Sequence, residues 1–280
     1  MLTIVTDTSC ALSRSEAEEL GVRVVPMGYV CDGERHAEGF SGENGSYAQL
    51  FSAARVVTSE AVYASSFAAA FRELLEAGSD VVCITISSRL SGTFRSAAEA
   101  AEALDGKIGG RHVAVVDSWV TAGALEFLVR RAAAMAASGA SLDEVVAAVE
   151  RARAGQQVAF TVPDIGVLRR SGRLGVLRRS VATKLNRYPV MQLVEGGIRD
   201  VCMARGASGA GREMVALAPA GAHEFVLSHF GDRGIEAQRT LAAVKARFPH
   251  AVVRVKDGGP VLAKNLGLGA VSLAWEQPEA

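Results

Sequence analysis

The pattern of this 280-residue chain predicts an α/β fold in two domains. Through the first half, short β-rich apolar runs alternate with amphipathic helical stretches, the arrangement that builds a mainly parallel sheet with helices on both faces. After about Gly155 paired extended runs take over, predicting a second α/β domain with mixed or antiparallel sheet. Hydrophobic residues make up 49% of the chain, enough to bury the core of one large domain or two ordinary ones. The domains are set at 1–155 and 156–280.

Each element has its own signal. Leu2 to Thr6 is a β-rich run, and Ser13 to Leu20 is helical, with Ser13 and Glu16 at capping-box spacing. The stretch VRVVPMGYV from Val22 reads as extended. Helical patterning covers Tyr47 to Ala54 and Phe67 to Ala77, ahead of the apolar strand Asp80 to Ile86. A helix from about Thr93 to Leu104, a strand from His112 to Asp117, and helices over Thr121 to Ala137 and Leu142 to Ala154 complete the first half. In the second, QVAFTV is a strand, and Glu195, Gly196 and Gly197 join two extended runs as a hairpin. The strand HEFVLSHF, a helix from Glu236 to Phe248 and the strand AVVRVKD follow.

Thirty basic and thirty acidic residues leave no net charge, which gives no electrostatic case for nucleic acid or an anionic membrane surface. The N-terminal run lacks the basic start and long apolar stretch of a secretory signal, and no segment approaches the roughly 20 apolar residues that span a bilayer. Cys10, Cys31, Cys83 and Cys202 lie far apart, without metal-ligand spacing, and read as buried thiols in a reducing compartment. The expectation is a soluble cytoplasmic protein without metal or cofactor.

Chemistry concentrates in loops. In ISSRLSGTFRSA, Ile86 to Ala97, a strand feeds a helix through Ser91, Gly92 and Thr93. A helix N-terminus presents unsatisfied N–H groups and partial positive charge, so such a turn grips an anionic oxygen group, with Gly92 permitting close approach; alternatively, Ser91 caps the helix. Asp7 to Ser9, and VVTSEA at Val56 to Ala61, read as further hydroxyl-bearing loops at the same sheet edge. Together they describe a small polar site for a carboxylate or phosphate.

Catalytic signatures are sparse: there is no GxxxxGKS or GxxxxGKT loop, no HExxH and no GxSxG. GASGAG at Gly206 to Gly211 reads as a surface connection. His229, near a strand end, reads as a structural histidine or as an acid/base at the site. LRRSGRLGVLRRS, Leu168 to Ser180, holds five arginines in thirteen positions and no acid, and is either a solvated helix face or a clamp for phosphate or partner.

In this order, the pieces resemble the DegV family of bacterial fatty-acid-binding proteins, also called fatty acid kinase B subunits. SSRLSGTFRSA is similar to the family motif S-S-x-L-S-G-T-x-x-S-A, IVTDTSCALS to I-V-T-D-S-T-x-x-L, VVTSEA to T-S-Q-P, VVDSWVTAG to V-I-D-S-x-x-x-S-x-G, and LRRSGRLG to L-x-R-G-G-R-I. The resemblance implies a non-catalytic carrier that holds one long-chain fatty acid in an apolar tunnel and presents it to a separate kinase subunit for acyl phosphate formation. It implies carboxylate binding by Thr58 and Ser91 with the Gly92 amide, and contact of Arg173 and Arg205 with the kinase or its nucleotide. Asn265 stands at the place of the histidine in the family's G-P-V-x-x-x-H-x-G-P-G, and Leu268 at that of the proline. Asparagine there donates without carrying charge. Glu60 replaces a glutamine, so its carboxylate must point away from a bound carboxylate, be protonated, or mark a different ligand.

Burying about fifteen methylenes contributes on the order of 12 kcal/mol, offset in large part by lost translational and rotational freedom. The tail then supplies affinity and the hydroxyl loop orientation. A reading of another class is a small-molecule enzyme acting on a carboxylated or phosphorylated metabolite at the Ser91 loop with His229 as acid or base.

Overall fold

A computed structural model of the chain describes residues 1–174 and 186–277. From the N-terminus, β1 (Leu2–Asp7) leads through a short turn to α1 (Arg14–Glu19), which opens on the capping box: Ser13 Oγ accepts from Glu16 N and the Glu16 carboxylate accepts from Ser13 N. There follow β2 (Arg23–Val25), β3 (Gly28–Cys31), β4 (Glu34–Ala37), α2 (Tyr47–Ala53), β5 (Val57–Glu60), α3 (Ala64–Glu76), β6 (Asp80–Thr85), α4 (Thr93–Leu104), β7 (Val113–Asp117), α5 (Gly123–Ala137) and α6 (Leu142–Ala152). The second half runs β8 (Gln156–Thr161), α7 (Ile165–Arg170), β9 (Arg187–Val194), β10 (Gly197–Arg205), α8 (Gly206–Ala216), β11 (Glu224–His229), α9 (Ile235–Arg247), β12 (Val252–Asp257), α10 (Pro260–Leu266) and β13 (Val271–Glu276).

β2, β1, β6 and β7 form a wholly parallel sheet in that order. Because side chains alternate across a strand, Ile4, Val82, Ile84 and Val116 enter one core with α5 and α6, while Val5, Val81, Cys83 and Val113 enter another with α3 and α4. The second sheet, β10-β9-β8-β13-β11-β12, is antiparallel except for the parallel pair β11 and β12. The α/β class with one parallel and one mixed sheet is therefore observed.

The first core also takes Val158, Phe160, Met191, Leu193, Val226 and Ala274 from the second sheet, so α5 lies between the two sheets. Its first residue sets the distance: a Cβ on Gly123 would stand 2.3 Å from Val226 Cβ. Glu126 of α5, fully buried, takes Arg130 Nε at 2.8 Å and Arg254 Nε at 2.9 Å. Glu16 binds Arg130 at 2.7 Å and also Lys256, tying α1 and α5 to β12. Burial alone would raise the Glu16 carboxyl, but donation from Lys256 and Ser13 brings it down to about 2.

Three readings of the chain change. VRVVPMGYV splits at Pro26 and Met27 into β2 and β3, and β3 pairs with β4 and β5 in a third, antiparallel sheet, so VVTSEA is an edge strand rather than a loop. GASGAG is the start of α8, not a surface connection: Gly209 and Gly211 are buried, and a Cβ on Gly211 would lie 3.0 Å from Thr240 Cα of α9, so the glycines let two helices touch. Of the arginine run, residues 175–180 lie outside the described residues. All four cysteines are free, and among the described residues no helix is long and apolar enough to cross a membrane.

Candidate functional site

The loop after β6 is built by its own backbone. Leu90 N and Ser91 N both donate to Ser87 O, at 3.0 and 3.1 Å, and Thr93 then opens α4 with Gly92 as its cap. Ser91 is thus not the cap residue. Its Oγ accepts from Thr93 N at 3.3 Å and is hydrogen-bonded to Thr93 Oγ1 at 2.9 Å. Thr93 is fully buried and accepts from Val62 N at 3.3 Å, which fastens the loop to the chain leaving β5.

Ser91 and Gly92 line a cavity enclosing about 800 Å³ of empty space, its open mouth included. Small-molecule sites have mostly apolar walls with a few placed polar groups, and this cavity is built in that way. Ile86 and Leu90 of the loop after β6, Val158, Phe160 and Leu193 of the second sheet, and Phe230 just beyond β11 supply apolar wall. α10 closes another side with Val261, Leu262, Asn265 and Leu266. The hairpin tip is pinned as well: Ser87 Oγ donates to Gly196 O at 2.8 Å, and Glu195 and Gly196 both have positive φ, as a tight two-residue turn requires.

Asn265 Nδ2 donates to Ser59 Oγ at 3.2 Å and to Val261 O at 2.8 Å. Thr58, its neighbour on β5, points to the other face of the strand; it is exposed and does not line the cavity, whereas Ser59 does. Arg173 lines the cavity and donates through Nε to Leu90 O at 3.3 Å. Lys264, half-buried, reaches Asn265 Oδ1 at 3.5 Å, and burial followed by the charge of Arg173 lowers its pKa. Among the described residues neither cation has a carboxylate within ion-pair distance. Arg205 stands exposed at the end of β10, opposite Arg187, away from the cavity lining.

Glu60 borders the cavity with its carboxylate engaged by Arg35, Nε to Oε2 at 2.9 Å, and that hydrogen-bonded partner lowers its pKa. It points to Arg35 as an ion pair. His229 Nδ1 contacts Gly231 O at 2.9 Å, and the residue is not part of the lining, which removes it as acid or base for this cavity. No group of three or more His, Cys, Asp or Glu is placed to hold a metal among the described residues.

Two contributors escaped the sequence. Ser59 lies one position from Thr58, and period-two alternation places it on the cavity face because residues 57–60 form a strand. Glu38, buried, receives Thr8 Oγ1 at 2.5 Å and Val261 N at 2.9 Å, and so anchors the start of α10. Burial pushes its carboxyl up to about 7 despite those donors, with Asp7 and Asp257 adding to the rise. A single glutamate in a polar stretch carries no sequence signal of this.

Residues 1–277 match the family model described as uncharacterised protein, DegV family. A DegV domain-containing protein of Mycobacterium bovis is 31% identical over 276 residues, covering 96% of this chain and 95% of the relative. Another from Listeria monocytogenes is 28% identical, covering 98% of both chains. Among solved structures, a DegV family protein from Thermus thermophilus described as fatty acid binding superposes with a TM-score of 0.84 at 28% identity, covering 99% of each chain. A DegV lipid-binding protein from Thermotoga maritima has a TM-score of 0.88 at 22% identity, covering 100% of this chain and 99% of its own, and shows the fold alone.

Proposed function

The chain belongs to the DegV family, and from that premise we propose that it binds a long-chain fatty acid and presents it to a separate fatty acid kinase subunit, without catalysing a reaction itself. The observation that carries this reading is the cavity: apolar walls drawn from the second sheet, the loop after β6 and α10 end in uncharged polar groups and Arg173, with Lys264 beside Asn265, and among the described residues neither cation has a carboxylate within ion-pair distance. Ser59, Ser91 and the Gly92 amide hold the carboxylate, and Asn265, whose two N–H groups go to Ser59 Oγ and Val261 O, orients the Ser59 hydroxyl; Arg173 and, behind Asn265, Lys264 supply the positive charge that Asn265 does not. The fatty-acid binding described for the Thermus thermophilus relative supports the ligand class.

Arg173 also borders a shallow recess beside the Ser91 loop with Arg89 and Arg95, an arrangement suited to phosphate at the moment of acyl transfer. Arg205 remains a candidate partner contact on the outer surface. The domains proposed at 1–155 and 156–280 would then grip the ligand between them.

The test is mass spectrometry of the purified protein, first native and then after denaturation and extraction. One fatty acid per chain, or uptake of added stearate or oleate to that ratio, is the expected result. A protein that arrives empty and takes up neither acid overturns the reading.

A further inference from the structure

Beside the cavity, the face of the second sheet turned toward α5 is apolar: Val158 and Phe160 on β8, Met191 and Leu193 on β9, Val226 on β11 and Ala274 on β13 all join the shared core. Farther out the face turns polar, with Gln156 bonded to Glu276 and with Arg254 and Lys256 paired to α5 and α1. Two serines stand among the apolar positions. Ser272 on β13 and Ser228 on β11 lie directly opposite each other in the antiparallel pairing, with Phe160 on the other flank of Ser272.

Both are buried, Ser272 at 3% exposure and Ser228 at 0%, and neither hydroxyl has a hydrogen-bond partner among the described residues. Ser272 lines the cavity. Thr121, on the loop entering α5, lines it too, is 8% exposed, and its Oγ1 is likewise unpartnered. A buried hydroxyl left unmade is unfavourable, and alanine fits the same place in a strand without that penalty. None of these groups shares a hydrogen bond with Ser59 and Asn265, which are bonded to each other, or with Ser91, which is bonded to Thr93.

We propose that Ser272, backed by Ser228 and joined by Thr121, forms a second polar station in the cavity that receives a hydroxyl group carried on the chain of the bound fatty acid. The station rests on the fatty-acid reading and narrows it: the ligand class is a hydroxylated long-chain acid, carboxylate at the Ser91 end and chain hydroxyl at Ser272. A serine hydroxyl both donates and accepts, so it matches an alcohol in either direction. The bond replaces one the ligand would otherwise make with water, and its net effect on affinity is on the order of fivefold.

The experiment is competition between stearic acid and a set of hydroxystearic acids differing in the position of the hydroxyl, read by native mass spectrometry on the full chain. At least one positional isomer outcompetes stearate about fivefold on the unmodified protein. Ser272→Ala abolishes that preference while retaining stearate, and its thermal midpoint stays equal to or above that of the unmodified protein, because the change removes an unpartnered hydroxyl. Thr121→Val is the second variant and reduces the preference.

Stearate retention with no isomer preferred, or a preference that survives both substitutions, overturns the station alone; a water held by the serines then accounts for them. Failure to retain any of the acids overturns the fatty-acid reading and the station with it.

Discussion

Asn265 Nδ2 and Ser59 Oγ are 3.2 Å apart, a hydrogen bond that joins α10 to β5 across 206 positions of chain. It leaves Ser59 Oγ–H free to donate into the cavity, since the asparagine occupies the oxygen as acceptor. Replacing Ser59 or Ser91 by alanine removes a donor to a charged oxygen, a loss of about 1.5–3 kcal/mol, and so weakens retention of a fatty acid by about tenfold or more. Thr58→Ala, one residue away on the exposed face, leaves retention unchanged. Equilibrium binding of a fluorescent fatty acid to the three variants measures this; equal losses in all of them would contradict the assignment of faces.

Gly123→Ala destabilises the protein even though alanine is the better helix former by about 1 kcal/mol. The added methyl falls 2.3 Å from Val226 Cβ, 2.6 Å from its Cγ1 and 3.1 Å from Ala274 Cβ. The helix has to lift from the second sheet, and overpacking of this kind costs about 1–3 kcal/mol. Because the nearest atom is a Cβ, trimming Val226 to alanine brings no rescue. Urea denaturation of the single and double variants gives the answer.

Stability depends on pH through Glu38. Its carboxyl titrates at about 7 in the folded protein and near its ordinary 4.5 in the unfolded chain, burial being the main cause. The native state therefore holds an extra proton between those values, and stability is greatest on this account below about 4.5 and falls as pH rises toward 7. The full swing is about 3 kcal/mol. Glu38→Gln keeps the shape and an acceptor for Val261 N while removing the titration, so denaturation midpoints at about pH 5 and about pH 7.5 lie closer together in the variant. Asp7, also raised by burial, retains a slope of the same sign.

Local signals in the sequence carried much of this architecture. The Ser13 and Glu16 spacing found its capping box, the Glu195 and Gly196 pair its turn, and the apolar runs their parallel strands, because each is decided by neighbours within a few residues. What depended on distant packing was not legible. GASGAG has turn composition, yet α9 lies against it and holds it helical. The Thr58 and Ser59 ambiguity is a one-residue register question, settled only by the pairing of β5 with β3. Lys264 and Arg173 are 91 positions apart, and nothing local announces that the charge of one bears on the other. The resemblance of SSRLSGT to its family motif supplied the loop, but not the strand, helix and hairpin that enclose it.

β13 enters the second sheet between β8 and β11, and Ser272 is the last in sequence of the residues that wall the cavity. A ribosome has therefore delivered every other wall before the central strand that unites them exists. Until residues 271–276 have emerged, β8 and β11 have no common neighbour, and the enclosure has no floor. Closure of the cavity is consequently a late event for this topology: the growing chain can fold its parallel sheet early, but the space between the sheets stays open until residues 271–276 have paired with β8 and β11.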